Sequence, residues 1–310
     1  MNMESSKSIP RTMWEPIHAE DREKEKIVRP SMTYWQDAWR RLKKDPMAMW
    51  GLITILIIIA MAIVGPMMSS ITYSDQDLTN INEGPSAKHW FGTDSHGRDL
   101  YIRVLYGARI SLTVAMVATI VNFFIGVLYG GISGYMGGRV DNIMMRIVDI
   151  IFTIPPTLYA IVLMVVVGPG LKSIMITLGT IYWVNMARIV RGQILALKEQ
   201  EFVLAARTLG ASTWRILIRH LIPNAMGPII VTATMLIPGA IFTESFLSFI
   251  GLGVSAPMSS WGTLASDSLG GLRSYPYQLF FPSAAICLTM LAFNFLGDGL
   301  RDALDPRLRK

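Results

Sequence analysis

The sequence predicts an all-α membrane protein with six transmembrane helices and both ends on the cytoplasmic side. Three observations carry that reading. Of the 310 residues, 52% are hydrophobic and only 16% charged, with a mean hydropathy of +0.42; a soluble chain carries about a quarter charged residues. The apolar residues gather into charge-free runs, and a helix of about 20 such residues crosses a hydrocarbon core of roughly 30 Å. The Lys and Arg residues fall between the runs. Threaded alternately from an inner N-terminus, the runs leave 22 of the 28 cations on the inner side, as the positive-inside rule requires. The net charge of +6 therefore reads as membrane topology, not nucleic-acid binding.

Residues 1–46 form a polar N-terminal arm, of which the first thirty read as poorly ordered. No signal peptide is expected there. Met32, Trp35, Trp39 and Leu42 recur at helical spacing before Arg40, Arg41, Lys43 and Lys44; this suits a helix lying on the lipid surface, or a solvated lead-in to the first span. Residues 47–300 read as the membrane domain. Span 1 is Ala48–Met68 and span 2 Ile110–Ile132, joined by a polar, turn-rich segment. Ser133–Arg146 is a Gly-rich polar link, with Asp141, Arg146 and Asp149 read as anchors at the inner edge. Span 3, Ile147–Val167, must kink or break at Pro155-Pro156, because neither ring nitrogen donates to the helix ladder. Gly168-Pro169-Gly170 is a tight turn before span 4, Ser173–Ala187, flanked by Lys172 and Arg188. Span 5, Leu221–Phe246, carries a flex point at Pro238-Gly239, and span 6 is Leu279–Leu296. Residues 301–310 are a cytoplasmic tail, with Asp298, Arg301, Asp302 and Asp305 forming an inner-surface network. Cys287 lies in an apolar run and reads as a small buried hydrophobe.

The stretch Glu201–Asn224 interrupts this pattern. It reads as a short helix over Phe202–Leu209, a break at Gly210 suited to a left-handed helix end, and a new N-terminus capped by Ser212. Arg207, Arg215 and Arg219 place it on the cytoplasmic side. Physically it is a helix–turn–helix at a membrane surface, and a structural elbow on lipid headgroups fits equally.

This run resembles the Glu-Ala-Ala loop of ABC-importer permeases. Ala205, Ala206, Gly210 and Pro223 match at the family's spacing; Leu204 stands for the Glu, His220 for the Ile and Ile222 for the Leu, with Glu201 as a nearby carboxylate. Three further stretches resemble the C-type permease subunits of the dipeptide/oligopeptide/nickel group, most closely the oligopeptide importer's: FGTDSHGRD at Phe91–Asp99, GLGVSAPMSSWGTLASD at Gly251–Asp267 and NFLGDGLRDALDPRLRK at Asn294–Lys310. The resemblance implies a type I ABC-importer permease architecture in the cell membrane, with oligopeptide as cargo, or dipeptide or nickel. It implies a coupling helix over about 201–213. Glu201, Phe202, Ala205, Ala206, Arg207, Leu209, Gly210 and Ala211 would dock one of two ATPase subunits, which hold the ATP and Mg. A homologous second permease completes the pore and an external peptide-binding protein delivers cargo, touching Asp94, Arg98 and Asp99.

Other classes fare worse on the residues. No Gly-Lys dipeptide and so no Walker A loop occurs, nor His-Glu-x-x-His or Gly-x-Ser-x-Gly, so no cofactor site or enzyme activity is expected in this chain. His89 and His96 lack a further ligand at metal spacing. An ion- or proton-coupled secondary transporter needs intramembrane carboxylates. Glu244 is the one candidate, and it reads equally as a cap on a neighbouring helix end.

Overall fold

The computed structural model describes residues 33–305; their regular secondary structure is helical apart from one isolated antiparallel bridge, Thr93 to Asp99, and long loops join the helices at 69–99 and 253–260. The expected disorder of the first thirty residues, Met32 and tail residues 306–310 lie outside the described residues. The chain divides into two units at Asp37 and Ala38. In the first, the start of α1 (Tyr34–Leu42) is closed by reciprocal bonds between Thr33 and Gln36, and Trp35 is exposed.

The second unit holds the membrane helices. Asp45 accepts from Met47 and Ala48 N–H to start α2 (Pro46–Met68), with Pro46 in the first turn where no N–H is needed. Asp99 caps α3 (Leu100–Met136) through Ile102 N–H at 2.9 Å. That cap starts the helix ten residues before the expected Ile110 and brings Arg103 and Arg109 into it. At 37 residues α3 is longer than any bilayer crossing needs. The expected polar link shrinks to a break at Gly137, after which α4 (Gly138–Thr153) resumes. Pro155-Pro156 then splits span 3: α4 and α5 (Pro156–Val167) meet at 85°. After the glycine turn, α6 (Leu171–Ile181) and α7 (Trp183–Leu197) together form a span of 27 residues. It outruns the expected end at Ala187 because its basic residues are paired: Arg188 bonds Asp149 at 2.7 Å and lies over Phe152, and Arg191 grips Asp141 at 2.5 and 2.6 Å. Ser133 also donates to Asp141, at 2.5 Å. Asp141 and Asp149 thus serve as the anchors expected of them, while Arg146 is exposed.

Then come α8 (Glu201–Thr208), α9 (Thr213–Ile216), α10 (Met226–Leu247), α11 (Trp261–Asp267) and α12 (Tyr277–Leu304). Span 5 begins at Met226, not Leu221, since Pro223 cannot donate to the ladder and the chain before it widens into a π turn, Leu217–Leu221. Among the described residues, five helices are long and apolar enough to cross a membrane, or six if the bent pair counts as one.

The long helix α3 is the central post. Val114, Ala115 and Ala118 are fully buried on it. At Gly130 a side chain would strike the Ala187 carbonyl, so α3 and α7 touch backbone to backbone. Leu42, Ala48 and Ala303 cluster, so the start of α2 and the end of α12 share one end of the bundle. One expectation fails. Cys287 is exposed, because the buried positions of α12 lie on its other face at Pro282, Thr289 and Phe293. Asp298, Arg301 and Asp302 are exposed on the last turns of α12 and make no ion pair with one another.

At the other end of α2, Pro66 sits inside the helix and has no N–H for the Ala62 carbonyl. Arg109 supplies the donors: Nε reaches Ala62 O at 2.5 Å and Nη2 reaches Ile63 O at 2.7 Å. We expect Arg109→Met to cost about 1–3 kcal/mol by stranding that carbonyl. The loss should shrink in a Pro66→Ala background, where the helix bonds itself. Thermal unfolding of the four variants in detergent checks this; equal losses in both backgrounds would refute the pairing.

Candidate functional site

Helix α8 is amphipathic over two turns. Val203 and Ala206, three apart, are buried against Ile216, Leu217, Val190 and Ile194. The opposite face is open: Leu204 is 63% exposed and Ala205 is exposed beside it. Glu201 in the first turn and Arg207 in the last complement the helix dipole, and Arg207 lies over the Tyr135 ring.

The end of α8 is a complete Schellman closure. Ala211 N–H bonds Ala206 O at 3.0 Å and Gly210 N–H bonds Arg207 O at 2.9 Å. Gly210 takes φ +80°, which only glycine adopts without strain, and nothing lies within 4 Å of the place a Cβ would occupy. The glycine is therefore needed for the turn itself, and space around it is free. Ser212 then accepts from Arg215 N–H at 3.3 Å and starts α9.

Of the eight residues named from the sequence, Ala206 is buried and Ala211 half-buried; Glu201, Phe202, Ala205, Arg207, Leu209 and Gly210 are exposed. Leu209 is 86% exposed, an outlying apolar side chain at a helix end. Sequence reasoning missed Leu204 and Trp214, which is 57% exposed. The helical spacing of Val203 and Ala206 is the signal that turns Leu204 outward.

At the opposite end of the bundle, Asp94, Arg98 and Asp99 are all buried and bonded within the loop. Asp94 accepts from His96 N–H, Arg98 N–H and Arg98 Nε at 2.7–3.0 Å, and from Arg103. Asp99 takes His89 Nδ1 at 2.8 Å besides capping α3. Gln278 Nε2 holds the loop to α12 by bonding Thr93 O at 2.9 Å. Burial pushes the Asp94 carboxyl up, but Arg103, the Arg98 and His96 N–H groups and Arg98 outweigh it and hold the group below its ordinary 3.8. Asp267, beside Arg103, is pushed up by burial.

Glu244 is fully buried and accepts from Ser111 and Ser248 at 2.8 Å and Ser245 at 3.4 Å. Ser111 Oγ in turn accepts the Trp261 N–H at 3.4 Å, at the start of α11. Among the described residues Glu244 itself accepts from no backbone N–H, so it is not the helix cap the sequence allowed: Ser260 caps α11, and Ser111 only links Glu244 to that helix's first turn. Ser248 is four residues from Glu244 and legible as a partner; nothing local marks Ser111.

Residues 126–310 match the family described as "Binding-protein-dependent transport system inner membrane component", and residues 33–85 match "N-terminal TM domain of oligopeptide transport permease C". The chain is similar to the Bacillus subtilis oligopeptide transport system permease protein OppC, 54% identical over 98% of this chain and 99% of that one. It is also similar to that organism's dipeptide permease DppC, 54% identical over 94% and 91%, and to Escherichia coli K12 OppC, 45% identical over 92% and 95%. Among solved structures, the inward-facing MetNI methionine ABC transporter shares the fold, with TM-score 0.52 and 18% identity over 65% of this chain and 96% of that one.

Asp94→Asn should cost about 3–5 kcal/mol, since it strands two buried guanidinium groups. Because the folded Asp94 value is depressed, its contribution is fully present above pH 3.8 and is lost as pH falls through the folded value. Asp267 acts oppositely: ionising it costs stability, and acid relieves that cost. The gap between wild-type and Asp94→Asn melting temperatures should close in acid; a gap independent of pH would be inconsistent with this network.

Proposed function

The chain belongs to the family of binding-protein-dependent transport system inner membrane components, and from that premise we propose that it is a pore-forming permease subunit of an ATP-driven oligopeptide importer. The peptide reading rests on the 54% and 45% relatives named for oligopeptide transport; the equal identity to a dipeptide permease supports shorter peptides as well. The secondary-transporter alternative loses its one carboxylate, since Glu244 is tied to three serines.

In this reading residues 1–46 are the cytoplasmic arm, 47–300 the membrane permease domain and 301–310 the cytoplasmic tail, as the 22 inner cations favour. A homologous second permease completes the pore. Two ATPase subunits, which carry ATP and Mg, sit below, one of them on residues 201–213. An external peptide-binding protein docks above, near Asp94, Arg98 and Asp99. The chain itself holds no cofactor and hydrolyses nothing. Alternating access follows when ATP binding favours one arrangement of the ATPase pair and so of the coupling helices.

The observation that carries the coupling role is the set of apolar side chains left exposed around a rigidly closed helix end, Phe202, Leu204 and Leu209, with the charged Glu201 and Arg207 interspersed among them. Val203 and Ala206 hold the helix to the bundle from behind, and Trp214 on α9 is exposed as well. Exposed apolar side chains interspersed with charged ones are how a partner's groove is filled and oriented.

Leu209→Asp should leave the bundle folded and weaken ATPase recovery roughly tenfold to a hundredfold, from a buried-leucine worth of about 1.5–3 kcal/mol. Co-purification of the ATPase with the solubilised chain, with ATP-driven peptide uptake in vesicles, measures it. Full recovery and full uptake would sink the coupling assignment. Gly210→Val should impose about 1–2 kcal/mol of left-handed strain on the closure and reduce uptake while the melting of the bundle is unchanged.

A further inference from the structure

Helix α7 has two unlike faces. Val184, Met186, Ala187, Val190 and Ile194 are buried, with Met186 and Ala187 packed on the α3 glycines. The other face carries Asn185, Ile189 and Gln193, one turn apart. Asn185 is exposed, lies next to the midpoint of the 27-residue span Leu171–Leu197, and makes no hydrogen bond among the described residues. A carboxamide at that depth cannot face lipid tails without losing all its hydrogen bonds.

The polar face continues across to α10. Ile189 and Gln193 share a half-open cavity of about 490 Å³ with Gly227, Thr232 and Arg301. Further along, Tyr182 Oη bonds Thr243 Oγ1 and lies 3.5 Å from Gly239 O, so α7 and α10 run side by side in opposite directions. The groove between them thus holds hydroxyl and carboxamide groups from the cavity to mid-membrane. A half-open cavity at one end, and polar groups where hydrocarbon is expected, describe a wetted wall.

We infer that the α7–α10 groove, from Gln193 and Thr232 through Asn185 to Tyr182 and Thr243, is this subunit's wall of the translocation path, where transient bonds form to the main-chain amides of a passing peptide. Neutral donor–acceptor groups suit that cargo: every peptide offers N–H and C=O, whatever its side chains, and the charged groups on the path, Arg301 and Asp305, are confined to its cavity end. This rests on the peptide-importer reading and adds the residues that meet the cargo.

The test uses full-length chain assembled in membrane vesicles, with Cys287→Ser removing the sole cysteine, which is itself exposed. Single cysteines are placed by Asn185→Cys, Gln193→Cys and Thr232→Cys, with Phe124→Cys and Val165→Cys as exposed apolar controls. A water-soluble cationic methanethiosulfonate reacts with thiolate, which needs water, so the three groove positions should label about tenfold faster than the controls. Saturating oligo-alanine with ATP should slow groove labelling several-fold and leave the controls unchanged. Uptake of the same peptide by the Cys287→Ser parent is measured in parallel. If uptake persists and none of the three cysteines labels above the controls, the wall assignment is wrong and the importer reading stands. Labelling that ignores peptide removes the cargo contact. Disulfide formation with a second permease, without labelling, makes the face a subunit interface instead and overturns the inference. Absence of uptake in the parent takes the importer reading down with it.

Discussion

Hydrocarbon offers no water to a main-chain or side-chain group that lacks a partner, and that constraint explains most of the polar contacts in this bundle. At three interruptions of the helix ladder or the apolar pattern, a side chain closes the gap. Arg109 serves the carbonyl that Pro66 abandons. Glu244 gathers three serine hydroxyls, one of which also takes the first N–H of α11. Asp141 binds Ser133 and Arg191 and so ties α3, α4 and α7 together. The bonds of Arg109 to Ala62, Ser111 to Glu244 and Arg191 to Asp141 cross between helices far apart in sequence, so these polar groups set a register that the apolar surfaces alone leave loose.

How much of this was legible in the sequence depends on range. Local chemistry was readable: the Ser212 cap, the Gly210 break, the Pro155-Pro156 bend and the turn at Gly168 all follow from what one or two residues can do with their own backbone. Helix ends were less so. Apolar composition marks where hydrocarbon begins, whereas the helix begins at its cap, so α3 starts at Asp99 and α7 continues past its arginines. Long-range pairing was not legible. Nothing near Arg109 points to Pro66, and nothing near Ser111 points to Glu244. The candidate coupling residues were found as a set, but which of them face outward required the packing of Val203 and Ala206.

The two ends of α7 connect the functional regions. Its polar face forms one side of the groove, and only Lys198, Glu199 and Gln200 separate its last residue from α8. The Schellman closure keeps α8 from fraying, and its inner face is fixed to the same cluster that holds Val190 and Ile194 of α7. A rigid-body shift of α8 is therefore delivered to α7 through packed side chains rather than through a slack loop. In the proposed importer, that is the shortest mechanical link between nucleotide and cargo.

The sharp bend at Pro155-Pro156 leaves α5 with 12 residues, a rise of about 18 Å against the roughly 30 Å of an average hydrocarbon core. Val165 and Val166 near its end are about four-fifths exposed. α5 therefore crosses only together with the end of α4, or turns back part-way, and either way this flank has no straight full-length helix, the situation in which a neighbouring leaflet thins. Acyl-chain length in the host membrane thereby becomes a determinant of how comfortably this subunit sits, independent of any cargo or nucleotide.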